Sequence, residues 1–146
     1  MNTEADIITI RCDIVSAHRE IFSGEVRMIV ASGISGELGI WPRHTPMITQ
    51  LKPGPVKIQD KAGAEQFYFV SGGILEVQPH LVTVIADTVL RSEELDQSAA
   101  EAARAEAERE LKFGSDDIEI DKAHAKLLKA MAELQTLDRI RKMGKR

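Results

Sequence analysis

The side chains best suited to metal or nucleophile chemistry are four histidines, His18, His44, His80 and His124, and the single cysteine, Cys12. Their spacing supports neither use. No H-x-x-H, H-E-x-x-H or C-x-x-C pair brings two ligands together, as a compact metal site needs. His44 and His80 fall in turn-like segments and His124 in a helical pattern, so each reads as an exposed surface residue. A G-x-S-x-G elbow is absent; Gly33-Ile34-Ser35-Gly36 comes nearest and has the wrong spacing. Gly33, Gly36 and Gly39 are three apart, which is not G-x-G-x-x-G, and they open no helix. Ser71-Gly72-Gly73 lies between two strand-like runs. Turn geometry accounts for both sets. No G-x-x-x-x-G-K-[ST] loop occurs, so the chain has no phosphate cradle of that kind.

One segment draws notice for another chemistry, that of contact. Gly36 to Met47 is rich in turn residues and carries Ile40 and the only tryptophan, Trp41. Either these residues close one end of a β-domain, or they form a protein-contact loop of the aromatic-anchor kind.

The elements that must position these residues follow from periodicity. From Ile7 to about Asp87 apolar residues alternate: Ile8, Ile10, Cys12 and Ile14; Val26, Met28 and Val30; Phe67 and Phe69. Turn residues recur at Ser23-Gly24, Gly33 to Gly39, Pro53-Gly54-Pro55, Lys61 to Gly63, Ser71 to Gly73 and Gln78 to His80. Many short strands at close spacing predict an antiparallel β-sandwich or flattened barrel. After Arg91 the period changes. Ser92 reads as an N-cap, with Glu93 and Glu94 in a positive first turn, and an alanine-rich helix is expected over Glu93 to Lys112. Phe113 to Asp116 breaks it, with Gly114 a natural C-cap. A second helix is expected from Asp117 to Met143, with one apolar stripe through Ile120, Leu127 and Leu134 and interleaved Ala123, Ala130 and Leu137. The short break predicts an antiparallel hairpin. The domains expected are therefore a β-sandwich over 1–88 and a helical hairpin over 89–146.

Bulk properties narrow the function classes. A length of 146 residues suits one full domain, or a small domain plus an appendage, and 43% hydrophobic with 4% aromatic content predicts an aliphatic core. A net charge of −4 argues against a nucleic-acid binder. A lone cysteine rules out an internal disulfide framework and fits a reducing cytosol. No apolar run is long enough to span a bilayer, and the polar start, Met1 to Asp6, is unlike a secretory signal. Charge is segregated: residues 93–121 carry 3 basic and 11 acidic side chains, whereas 122–146 carry 8 and 2. The last segment either meets an acidic surface or pairs with its acidic neighbour. The hairpin offers mainly alanines on its first helix, so it is expected to need docking on the sandwich or on another chain, and to detach and re-dock.

The sequence resembles the epsilon subunits of bacterial F-type ATP synthases. The resemblance runs from about Cys12 to about Met143. It is carried by Phe22-Ser23-Gly24, Gly36 to Pro46, Lys52-Pro53-Gly54, Ser71 to Pro79 and Ala86-Asp87-Thr88. It implies a non-catalytic rotor subunit without a cofactor, whose sandwich binds the gamma subunit. Glu37, Ile40, Trp41 and His44 would then touch the membrane c-ring. It further implies a hairpin that can extend along gamma, where basic residues of its second helix oppose hydrolysis at the alpha and beta subunits. Lys122, Lys126, Lys129, Arg139, Arg141 and Lys142 match that role, with Lys145 and Arg146 beyond them. Membrane association would come only through partners, at the cytoplasmic face of the inner membrane. One departure stands out. The family's [IL]-D-x-x-R-A nucleotide motif reads here Leu95-Asp96-Gln97-Ser98-Ala99-Ala100, with alanine where the arginine belongs. ATP binding is therefore expected to be weak or absent. The degenerate motif disfavours a free nucleotide-sensing module. The scattered histidines disfavour a small jelly-roll enzyme.

Overall fold

A computed structural model describes residues 7–114 and 116–143. The start of the chain at 1–6, Ser115 of the expected break, and Lys145 and Arg146 of the basic tail lie outside the described residues. Eight strands come first: β1 (Ile10–Ser16), β2 (Glu20–Gly33), β3 (Gly36–Ile40), β4 (Met47–Asp60), β5 (Glu65–Val70), β6 (Gly73–Gln78), β7 (Leu81–Ala86) and β8 (Val89–Arg91). Two helices follow, α1 (Gln97–Phe113) and α2 (Asp117–Met143).

The strands form one sheet in the order β3-β2-β1-β7-β6-β4-β5-β8, folded over because β2 also pairs with β4. The long strands β2 and β4 serve both layers. The first half of β2 pairs with β1, and its second half with β3 and β4. The first half of β4 pairs with β6, and its second half with β5. Pairing is antiparallel except between β1 and β7, which run parallel. A parallel pair needs a long crossover, and the whole β2–β6 meander supplies it. The last strand, β8, pairs with β5 beyond residue 88.

Between the layers lies an aliphatic core containing Ile10, Cys12, Ile14, Val26, Ile29, Val56, Ile58, Leu75, Val77, Val82 and Val84. Most are the inward members of the period-two runs. In β2 the register shift between Val26 and Met28 reverses the parity, so Ile29 turns inward while Met28 and Val30, expected on the core side with Val26, do not. Tyr68 is the aromatic exception, and its hydroxyl donates to Gln66 Oε1 at 3.0 Å. Cys12 is fully buried; burial, then the neighbouring Asp13, pushes its thiol up to about 12, so it stays protonated and unreactive.

The expected first helix begins later than Ser92. Ser92–Glu94 is a single 3₁₀ turn, and Leu95 is extended (φ −81°, ψ 131°). Glu94 is the cause. Its carboxylate accepts the Arg91 N–H at 2.8 Å, closing the turn on itself. Asp96 then caps α1 by accepting the Ala99 N–H at 3.2 Å. At the other end Gly114 is the C-cap, donating its N–H to the Glu110 carbonyl at 2.7 Å.

The second helix carries two apolar seams rather than one stripe. Ala123 and Ala130 are buried on the side facing α1, whose own buried residues are Ala100 and Ala107. Ala132 and Thr136 are also buried. Ala132 follows Ala123 by nine residues, which places it about 180° around the helix. On that side α2 packs against β4 and β5. The hairpin is thus layered: sheet, then α2, then α1 outermost.

Candidate interaction surfaces

Two surfaces and the basic face of α2 carry the side chains singled out by the sequence, and a third surface emerges only from the fold.

The first is the edge strand β3 with the turn after it. Alternation sends Glu37 and Gly39 outward and pairs Ile40 with the core residue Ile29. Ile40 is fully buried, so it closes the sandwich and presents nothing to a partner. That corrects its placement among the contact residues: period two puts it on the core side of β3. Trp41 is 56% exposed. Its ring lies across Gly39, where a Cβ would come within 2.6 Å of the ring. Arg43 holds the turn in the left-handed region (φ 65°) and donates its N–H to the Pro79 carbonyl at 2.9 Å. His44 N–H donates to the Trp41 carbonyl at 3.2 Å, and its Nδ1 lies 2.7 Å from the Thr45 carbonyl oxygen. Glu37 and Trp41 are thus exposed on this edge, while His44, expected to be exposed, is half-buried in the turn that follows. Glu37 is engaged: Arg139 Nη2 lies 2.9 Å from Glu37 Oε2.

The second surface lies beneath α2. On β5, Tyr68 and Val70 join the core while Phe67 and Phe69 stand apart from it, yet both are buried. They pair with Lys57 and Pro55 on the outer face, where α2 docks. Burying two phenylalanines under a helix requires close approach, and the small Ala132 and Thr136 allow it. The Thr136 hydroxyl is satisfied within its own helix by the Ala132 carbonyl at 2.8 Å. At the far end a hollow of about 280 Å³ is lined by Val30, Glu37, Lys57, Glu65, Arg139 and Lys142 among others.

The basic residues of α2 divide between docked and solvated. Arg139 holds Glu37, Lys126 lies 3.5 Å from Glu110 on α1, and Lys142 pairs with Asp138 at 3.1 Å. Arg141 donates from Nη2 to Gln97 Oε1, tying the end of α2 to the start of α1. Lys122 and Lys129 are exposed and make no ion pair among the described residues. In the degenerate motif, Leu95 is half-buried, Asp96 is the helix cap, Ala99 is exposed and Ala100 is buried against α2. The nearby guanidinium groups are occupied. Arg91 donates to the Ile21 carbonyl at 2.9 Å, and Arg104 pairs with Glu108 at 3.1 Å.

The third surface was not singled out in the sequence. Ile48 (72% exposed), Ile74 and Ile85 face solvent on the layer opposite the hairpin, from β4, β6 and β7. Gly73 lets these strands close up: its φ is 144°, and a Cβ there would meet the Ile85 carbonyl at 2.0 Å. The signal was present in the strand parity. Ile74 and Ile85 are out of phase with their buried neighbours Leu75 and Val84.

Among the described residues no group of three His, Cys, Asp or Glu converges on a metal-sized point, and no helix is long and apolar enough to cross a membrane. The fold defines a protein with an N-terminal β-sandwich and a C-terminal helical hairpin. Residues 9–92 match the beta-sandwich domain of the ATP synthase delta/epsilon chain, and residues 93–138 match its long alpha-helix domain. The chain belongs to the ATP synthase delta/epsilon family. An ATP synthase epsilon chain from Nitrosococcus oceani is 52% identical over 92% of this chain and 96% of its own length. One from Alkalilimnicola ehrlichii is 49% identical over 94% and 99%. The fold is shared with a chain of the Euglena gracilis mitochondrial ATP synthase OSCP/F1/c-ring assembly. There the TM-score is 0.74 at 20% identity, covering 92% of this chain and 81% of that one. A chain of the Tetrahymena thermophila mitochondrial ATP synthase central stalk/c-ring gives a TM-score of 0.64 at 12% identity, over 88% and 96%.

Proposed function

We propose that this chain is a central-stalk rotor subunit of a bacterial F-type ATP synthase, joining the catalytic head to the c-ring and restraining ATP hydrolysis through its helices. The observation that carries the reading is the match to ATP synthase epsilon chains along nearly their whole length, sandwich and hairpin together. In this reading the chain performs no catalysis of its own and works by contact. The membrane is met only through partners, at the cytoplasmic face of the inner membrane.

The surfaces divide the labour. Ile48, Ile74 and Ile85 form an exposed apolar patch that suits the gamma subunit, since patches of this kind need a partner. The β3 edge, with Glu37, Trp41 and His44, suits the polar loops of the c-ring. The hairpin supplies the brake. Its extension uncovers Phe67 and Phe69, each worth about 1.5–3 kcal/mol when buried. A docked hairpin is therefore the resting state of the isolated chain, and extension requires compensating contacts with gamma and with the alpha and beta subunits. Lys122 and Lys129 are already free of ion pairs among the described residues; Arg139 and Lys126 must first leave theirs.

Two experiments test the proposal. Copurification of the tagged chain should bring down gamma and the c-ring. Truncation after Ser92, which spares β8, should preserve assembly and raise hydrolysis. Hydrolysis no faster than that of the full complex would remove the brake from the assignment.

A further inference from the structure

We infer that Glu37 is a shared carboxylate, so that contact of the β3 edge with the c-ring and docking of the hairpin compete for it. The inference rests on the reading that this edge meets the ring.

Glu37, Gly39 and Trp41 lie at alternate positions, with the Trp41 ring folded over Gly39. Residues two apart on a strand share a face. That face is the one on which α2 docks, because Val30, the partner of Gly39, also pairs with the outward Lys57. A partner loop spreading over Trp41 and Glu37 therefore arrives where the last turns of α2 already sit. There Arg139 Nη2 holds Glu37 Oε2 at 2.9 Å. β3 is an edge strand, reached by α2 through this long side chain while the helix body packs on β4 and β5.

A carboxylate can accept several donors, so the competition is one of space: a loop laid over Trp41 and Glu37 occupies the face on which the last turns of α2 sit. A ring loop that offers Glu37 a cationic or amide donor replaces Arg139 and weakens the hold on the end of the hairpin. The coupling is reciprocal: whatever the ring does to docking, docking does equally to ring contact. Its size is bounded by exposure. The two side chains are 51% and 38% exposed, and ion pairs in such settings change an equilibrium by about two- to fivefold. That suits a bias on the hairpin rather than an obligatory lock. It would let a subunit seated on the ring release its hairpin more readily than one detached from it.

The test is a distance measurement between spin labels at Lys61→Cys and Gln135→Cys in the full chain, using the assembled complex with its ring and the head complex stripped of it. The ring should lower the ratio of docked to detached hairpin by about two- to fivefold in the otherwise unaltered chain. Glu37→Gln should lower the ratio by a similar factor without the ring and abolish the ring's further effect. Arg139→Gln should do the same, and exchanging the charges, Glu37→Arg with Arg139→Glu, should restore docking. In parallel, a benzophenone side chain at position 41 should crosslink to the ring subunit. A crosslink with a ratio indifferent to the ring overturns the competition alone. Absence of the crosslink overturns the ring reading, and the competition with it.

Discussion

The benzo edge of the Trp41 ring lies over Gly39, so close that a Cβ at 39 would fall 2.6 Å from its Cζ3 atom. Gly39→Ala must push the indole away. Because Trp41 is more than half exposed, it can move outward, and folding stability should change by no more than about 0.5 kcal/mol. Trp41 is the only tryptophan. Its emission should shift to the red and become more open to a soluble quencher, while binding to the ring weakens. An unchanged emission spectrum would show that the indole does not rest on β3.

Phe69 separates the stability of the sandwich from the docking of the hairpin. It is fully buried yet stands outside the sandwich core. Phe69→Ala should cost about 3–5 kcal/mol of docking. Hydrogen exchange in α2 should accelerate strongly, while amides of β1 and β7 keep their protection. Uniform acceleration would place Phe69 in the sandwich instead.

Ala132 tests the layered arrangement from the helix side. Ala132→Leu forces volume between α2 and the sheet and should destabilise docking by about 1–3 kcal/mol. Ala107→Leu makes the same change in the α1–α2 seam and should separate the helices while α2 stays on the sheet. Distances from spin labels on α1 and on the sandwich distinguish the two outcomes.

The turn between sandwich and hairpin should respond to acid. Acceptance of the Arg91 N–H, and then the charge of Arg19, hold the Glu94 carboxyl below its ordinary value. A depressed carboxyl stabilises the fold above its ordinary pKa, and that contribution fades as pH falls through the lowered value. The protection factor of the Arg91 amide should therefore decline on acidification through and below the usual carboxylate range. Glu94→Gln should flatten the profile. Glu133 on α2 acts in the opposite sense: burial raises its pKa against the pull of Lys129, so its contribution is lost as pH rises through the raised value.

Nucleotide binding should be weak in the isolated chain. Ala99 is exposed on the first turn of α1, Arg91 and Arg104 are engaged elsewhere, and Asp96 already serves as the helix cap. Calorimetry should detect no micromolar ATP binding, and Ala99→Arg should strengthen whatever binding remains.

Much of the architecture was legible along the chain. Strand parity is local, so the alternation around Ile10, Cys12 and Ile14 marked the core face directly. The alanine run and Gly114 marked α1 and its end for the same reason. The start of α1 was less legible. Ser92 and Asp96 are both good caps, and only the Glu94 carboxylate folding back onto Arg91 decided between them. Ile40 stands beside Trp41 in sequence, but its pairing with Ile29 turns it inward.

What the sequence by itself determined is the family, the sandwich-then-hairpin order and the side chains available for contact. Those depend on residue types and short spacings. Tertiary structure alone decided that α2 is buried on two opposite sides, that Phe67 and Phe69 belong to the hairpin interface, and that Arg139 meets Glu37 from 102 positions away. Small residues such as Ala132 and Thr136 leave no hydrophobic signature. A long-range ion pair leaves none either, because its partners are brought together only by the packing of helix on sheet.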